Sequence, residues 1–322
     1  MSSALRRTGA FALAAVLFAA CSSASASHRA APPTSTAAPT TSPTPAAFPV
    51  TIASAQGPVT IRTRPTAIVS LSPTATEDLY GVGAGPQVIA VDAQSNYPAG
   101  APRSTLSGFT PNVEAIAAKR PDLVVIADDS TGLSKALAKL AIPTIVDNPA
   151  TTLEGAYAQI TQLGEATGHG AEATALVASM RSAIAAVVAA TPQRTRPVRI
   201  YHEVDQTFYS ATSSTFIGQL YKMLGAQDIA DAADSQGSGY PQLSAEYIVK
   251  ADPDIIFLAD GLCCGQTRAT VSARPGWSAI SAVKYGDVVT LNDDIASRWG
   301  PRVVDLVRAI EAGLMLAPSN GP

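Results

Sequence analysis

From Ala67 onward, short runs of Val, Ile and Leu alternate with stretches in which apolar residues recur every three or four positions. The runs at Ala67–Ser72, Val88–Ala93 and Ile142–Asn148 predict strands. They are continuously apolar, which predicts a parallel sheet covered on both faces. Leu153, Tyr157, Ile160 and Leu163 then fall at helical spacing, as do Leu176, Met180, Ile184, Val187 and Val188. Gly168-His169-Gly170 separates these two helices, and Pro192 ends the second. At about 20 residues from Ala171, that second helix would be roughly 30 Å long. Strands then resume at Val198–Val204 and Asp287–Asp293, with helices at Thr215–Ala226 and Pro301–Met315. The expected fold is α/β, with two similar Rossmann-like lobes on mostly parallel sheets, one long joining helix and a ligand cleft between the lobes. The expected boundaries are 50–168 for the first lobe, 169–192 for the linking helix and 193–322 for the second lobe.

One sentence is written twice. "NVEAIAAKRPDLVVIAD" from Asn112 and "SAEYIVKADPDIIFLAD" from Ser244 align without a gap, 132 positions apart. In each, a helix cap, a glutamate in the first turn, a Pro-Asp and an apolar strand ending in Ala-Asp follow in order. A glutamate there is favoured by the helix dipole alone, by a few tenths of a kcal/mol. On that evidence Glu114 and Glu246 are ordinary helix-start residues. "LSPTATE" (Leu71–Glu77) also has Thr and Glu spaced like a helix start.

The amino terminus changes the picture. Arg6 and Arg7 precede a short apolar run ending at Ala20, and Cys21 follows. This predicts a secretory signal over residues 1–20 rather than a membrane span. "FAAC" resembles a bacterial lipoprotein box, which makes Cys21 the lipidated residue; the alternative is a plain signal cut near Ala26. Residues 21–49 are Ser-, Thr-, Ala- and Pro-rich and cannot bury enough surface to order themselves, so a disordered tether is expected. No later run is expected to span a bilayer.

Composition removes several functions. The chain has 322 residues, a net charge of −3 and only 15% charged residues, with no basic footprint for nucleic acid. The three histidines, His28, His169 and His202, lie at no ligand spacing, so no metal site is expected. His202 reads as a satisfied strand residue. There is no G-x-S-x-G elbow, phosphate loop or H-E-x-x-H, so an enzyme is not expected. Cys263 and Cys264 are the thiols left after Cys21. Outside the cytoplasm they fit either a disulfide between neighbours or two reduced thiols.

The two halves, the long joining helix, "LSPTATE" and the paired E-x(6)-P-D elements together resemble the helix-linked substrate-binding lipoproteins of ABC importers, which carry cobalamin, ferric siderophores or haem. The resemblance covers almost all of Val50 to Leu316. It implies an extracytoplasmic, lipid-anchored monomer that delivers a ligand to a permease dimer with its ATPase. A receptor that signals to another partner remains open. It also implies that Glu114 and Glu246 dock the permease, one from each lobe. "SNYPAGA", "SGYPQLS" and "DDIASRWGPR" look most like the cobalamin-binding members. That likeness places Tyr97, Phe109 and Tyr240 against a corrinoid ring, and Asp293 or Asp294 with Arg298 near its side amides. Tyr240 stands where a Trp is common. Independently, ligands in open α/β sheets bind beyond the carboxyl ends of the strands. Those loops also hold Tyr209, the Cys263–Gln266 turn and Trp299. The ligand is cargo, so no resident cofactor is expected. A catecholate siderophore would want converging cations, and only Arg268, Arg274, Arg298 and Arg302 offer themselves.

Overall fold

A computed structural model describes residues 48–317. Cys21 and nearly all of the expected tether lie outside the described residues. The chain starts with an antiparallel hairpin, β1 (Val50–Ile52) and β2 (Val59–Ile61), which the sequence pattern did not announce. At three residues each, these strands are too short to show a period.

The first lobe contains β3 (Ile68–Leu71), α1 (Pro73–Gly81), β4 (Val88–Val91), α2 (Val113–Ala117), β5 (Leu123–Ile126), α3 (Leu133–Ala138) and β6 (Thr144–Val146). Helix α4 (Leu153–Thr167) and the linking helix α5 (Gly170–Ala190) follow. The second lobe contains β7 (Val198–Glu203), α6 (Phe216–Met223), β8 (Ala226–Asp228), α7 (Ala245–Ala251), β9 (Ile255–Leu258), α8 (Gly261–Cys264), α9 (Arg268–Ser272), α10 (Ser281–Tyr285), β10 (Val288–Thr290), α11 (Asp293–Ala296) and α12 (Val303–Leu314). The strand β8 lies inside the stretch read as the end of a helix and its sequel. It is a three-residue edge strand, Ala-Gln-Asp, with no apolar run to betray it.

Both four-stranded sheets are parallel and share one topology. The orders are β4-β3-β5-β6 and β8-β7-β9-β10, so each sheet runs second, first, third, fourth. The duplicated sentence is therefore the third strand of each lobe with its preceding helix. Its Pro-Asp has a structural task. The Asp122 N–H donates to Ala67 O at 2.9 Å and its carboxylate takes the N–H groups of Thr66 and Ala67. In the other copy the Asp254 N–H donates to Arg199 O at 2.8 Å and its carboxylate takes the Arg199 N–H. Each aspartate thus ties the start of the third strand to that of the first. The residue before each proline is left-handed, with φ 52° at Arg120 and 46° at Asp252. Proline disfavours a right-handed helical residue before it, and a left-handed residue ends the helix.

The core unites the lobes. One continuous apolar cluster takes Ile68, Leu123 and Ile145 from the first sheet and Ile200, Ile255 and Phe257 from the second, joined by residues of α4, α5 and α12. Two smaller clusters fill the other face of each sheet. Helix α5 corrects one expectation, because by length and composition it is apolar enough to cross a membrane. Its apolarity is largely alanine, a small side chain that escaped notice as a greasy run. Ala173, Met180 and Ile184 are buried, and α5 packs on α4 and α12. Ala173 meets Gly164 so closely that a Cβ on the glycine would lie 2.3 Å from that of Ala173.

Candidate functional site

The carboxyl ends of the strands in both lobes are followed by the loops that carry the expected contacts. Four aromatic rings are presented to solvent: Tyr97 is 46% exposed, Phe109 81%, Tyr209 40% and Tyr240 50%. Burying rings of this size is a principal source of binding energy, so leaving four bare in these loops points to a ligand. The turns that carry them are held in place by the protein. Gly108 lies against the Leu71 carbonyl, where a Cβ would come within 2.4 Å, and Ser107 Oγ accepts the N–H groups of Phe109 and Thr110. This fixes the Phe109 turn. Tyr209 pairs with Gln242 in an isolated bridge. Ser238 Oγ accepts the Tyr240 N–H, and Asp234 holds the turn by accepting from Ser238 and Gly239.

Tyr97 follows β4 and is anchored from the opposite lobe. The Arg302 guanidinium lies 4.1 Å from its ring centroid, and Asn96 Nδ2 donates to Asp294 Oδ2 at 2.7 Å. A cavity of about 310 Å³ lies between the lobes, where Pro149–Thr151 face Tyr240, Arg298 and Trp299. Beside it, Trp299 Nε1 donates to Gln159 Oε1 at 2.7 Å.

The charged residues expected in the cleft are engaged with the protein. Arg298 is buried and donates to Glu77, Asp294 and the Gln94 carbonyl. Asp293 receives the N–H groups of Gly261, Leu262 and Cys263 at 3.1, 2.8 and 2.8 Å, so its carboxylate seats α8. Arg302 grips Glu77 through Nε at 2.8 Å and Nη2 at 2.5 Å. Arg274 grips Glu203 with two bonds of 2.6 Å. Arg268 is exposed.

Glu77 was misread from sequence. Ser72 caps α1, its Oγ accepting the Ala75 N–H, and Glu77 turns inward as the acceptor for two arginines. The helix-start spacing hid an ion pair whose partners lie more than 200 residues away. Gln159 and Glu203 carry no sequence signal either, because their partners Trp299 and Arg274 lie 140 and 71 residues away.

Other buried acids lie nearby. Burial, with Asp147 and Glu77 as charged neighbours, pushes the Asp78 carboxyl well above its usual range. Burial pushes Asp147 up to about 7, against the Gln162 amide that steadies its charge. His202 is buried in β7, bonds Tyr221 Oη through Nδ1 at 2.9 Å, and is pushed down to about 4 by burial. It is a core residue. Among the described residues no group of three His, Cys, Asp or Glu side chains could hold a metal ion. Cys263 and Cys264 form a disulfide between neighbours, with Cα atoms 3.8 Å apart.

Glu114 and Glu246 occupy the second position of α2 and α7, after the caps Asn112 and Ser244. Both are exposed. Neither carboxylate has an ion pair or side-chain hydrogen bond among the described residues.

The profile of the family described as periplasmic binding protein matches residues 68–295. The chain belongs to that family. It is 33% identical over 273 residues to an uncharacterized ABC transporter substrate-binding lipoprotein of Bacillus subtilis, covering 82% of this chain and 84% of that one. It is 32% identical over 270 residues to a cobalamin-binding protein of Halobacterium salinarum, covering 80% and 72%. Among solved structures, the periplasmic haem-binding protein HutB of Vibrio cholerae superposes with a TM-score of 0.69 at 21% identity, covering 77% and 98%. That likeness shows the fold. The periplasmic binding proteins are binding proteins and not enzymes, as the missing catalytic motifs predicted.

Proposed function

We propose that this protein captures a corrinoid such as cobalamin outside the cytoplasm and hands it to an ABC importer. The observation that carries the ligand is a cleft of bare aromatic rings in which three of the four candidate guanidinium groups are already paired. Arg274, Arg298 and Arg302 each bind a carboxylate of the protein itself. A multiply anionic catecholate would have to break those pairs, and a haem would have to find other partners for its propionates. A large, amide-rimmed, nearly neutral ring needs only the aromatic faces and neutral polar groups. The 32% identity to a cobalamin-binding protein supports the same reading. The interlobe cavity of about 310 Å³ would take one edge of such a ligand, with Tyr97 and Tyr240 against its face. Glu114 and Glu246 would dock the two permease subunits, and lipid on Cys21 would keep the protein at the membrane. The test is isothermal titration of the mature body with cobalamin, haem and a ferric hydroxamate. Micromolar or tighter binding of cobalamin is expected. Binding of haem or the hydroxamate with none of cobalamin would overturn the ligand assignment.

A further inference from the structure

The duplicated sentence ends in Ala-Asp in both lobes, and the two aspartates have opposite surroundings. Asp128, after β5, is exposed and accepts both the hydroxyl and the N–H of Ser130. Those bonds hold its carboxyl below the usual range. Asp260, after β9, is fully buried, and among the described residues neither of its carboxylate oxygens meets a donor. Its neighbour is Glu203, also fully buried, whose two oxygens are taken by Arg274. The one guanidinium beside the two buried carboxyls is thus spent on Glu203. The Tyr201 hydroxyl is buried beside them. Across the loop, Asp293 spends its carboxylate on backbone N–H groups. Gln266 accepts from Arg274 and from the Thr270 hydroxyl, and Gln206 faces Gln266. Among the described residues no second cation pairs with either carboxylate.

The segment that follows Asp260 is Gly261–Gln266. Every one of its six N–H groups has an acceptor. Gly261, Leu262 and Cys263 donate to Asp293, Cys264 and Gln266 to the Asp260 carbonyl, and Gly265 to the Gly261 carbonyl. Leu262, Cys263 and Cys264 are nonetheless exposed. The loop leads directly from the buried Asp260 and, through the Gln266 side chain, meets the guanidinium that holds Glu203. An ionised, unpartnered carboxylate away from water is costly, so a shift of this adjoining loop that admits water would relieve it.

We propose that Gly261–Gln266 is a proton-gated rim: a proton shared between Asp260 and Glu203 seats the loop, and loss of that proton releases it. The gating does not rest on the cleft reading above. Burial and the Glu203 charge push the seated Asp260 carboxyl up to about 7. In the released loop it would titrate near the ordinary value of about 4. Between those values the seated state holds a proton that the released state lacks. The ratio of seated to released loop therefore falls about tenfold per pH unit as pH rises from about 4 to about 7. Above about 7 both states are ionised and the ratio levels off. Asp128, ionised in either state, gives its own loop no such dependence.

The test is amide hydrogen exchange on the full mature chain without ligand, with protection corrected for the intrinsic rate at each pH. Protection of the Gly261–Gln266 amides should fall by up to about a hundredfold between pH 5 and 7 and then level off. The segment after Asp128 should stay flat. Asp260→Asn, whose amide can donate to Glu203 as the shared proton does, should keep the loop protected across the range. A flat wild-type profile overturns the proposal even if the variant fails to fold, and so does an Asp260→Asn slope equal to that of wild type. Because no ligand is present, the outcome is independent of whether cobalamin binds.

Discussion

Arg298 donates from Nη1 to Glu77 Oε1 at 2.8 Å across 221 residues of sequence, and both side chains are buried. Arg302 completes the grip on the same carboxylate. The segment Arg298–Arg302 thereby ties the second lobe to α1 of the first. Removing the shared acceptor leaves two guanidinium groups short of a partner. Breaking a buried pair from one side costs about 3–5 kcal/mol. Glu77→Ala should lose that much stability in urea unfolding, and Glu77→Gln, which keeps one acceptor oxygen, should lose less. A loss below about 1 kcal/mol in the alanine variant would show that the pair does not hold the lobes.

That ion pair also marks how far the sequence could be read. Strand runs such as Leu123–Ile126 and Ile255–Leu258 were legible because burial on both faces writes an unbroken apolar word. The Pro-Asp and its paired glutamates were legible because they occur twice. Tyr97 and Tyr240 stood out as rings between turn residues. What stayed hidden was pairing. Nothing near Glu77 in sequence names Arg302, and nothing near Asp293 names the amides of Gly261–Cys263. Side chains read as free to meet a ligand turn out to be spent on the fold.

The continuous apolar cluster across both sheets limits lobe motion. A wide opening would expose Ile68 and Ile200 alike, and α5 has neither Gly nor Pro within Ala171–Ala190 at which to bend. Small-angle scattering with and without ligand should therefore nearly superimpose. A large fall in radius of gyration on binding would refute the rigid linkage.

Stability should depend on pH through Asp147. Its folded carboxyl is pushed up to about 7 by burial, while the unfolded one titrates near the ordinary value. The folded state thus binds the extra proton between about 4 and 7. The associated stability is present at low pH and is lost as pH rises through about 7, by up to about 4 kcal/mol. Asp147→Asn should flatten this part of the urea-unfolding profile. Asp78, pushed the same way, should leave a residual slope. An unchanged slope in the variant would remove Asp147 from the account.

Tyr97 and Tyr240 should differ when truncated. Tyr240 touches the interlobe cavity, whereas Tyr97 is also the platform for the Arg302 guanidinium. Each alanine variant should weaken cobalamin binding by about 2 kcal/mol or more if its ring is an anchor. Tyr97→Ala should in addition lose up to about 1 kcal/mol of stability as the cation loses its ring. Equal affinity in wild type and both variants, measured by titration calorimetry, would move the ligand away from these rings.

Glu114 and Glu246 are exposed, without ion-pair partners among the described residues, and placed identically at the starts of α2 and α7. Each helix precedes the third strand of its sheet, so the near-identical topology of the lobes sets the two carboxylates on equivalent ground. A protein that meets a twofold-symmetric permease needs such matched points. Their contribution to the fold is limited to a favourable place at a helix start, a few tenths of a kcal/mol each. Glu114→Ala with Glu246→Ala should therefore leave the unfolding curve and ligand affinity almost unchanged. Uptake of labelled cobalamin by cells or proteoliposomes should fall well below that of either single variant, because two weak contacts joined in one body act together. A double variant that imports normally would separate these glutamates from docking, and one that loses ligand affinity would place them in the cleft instead.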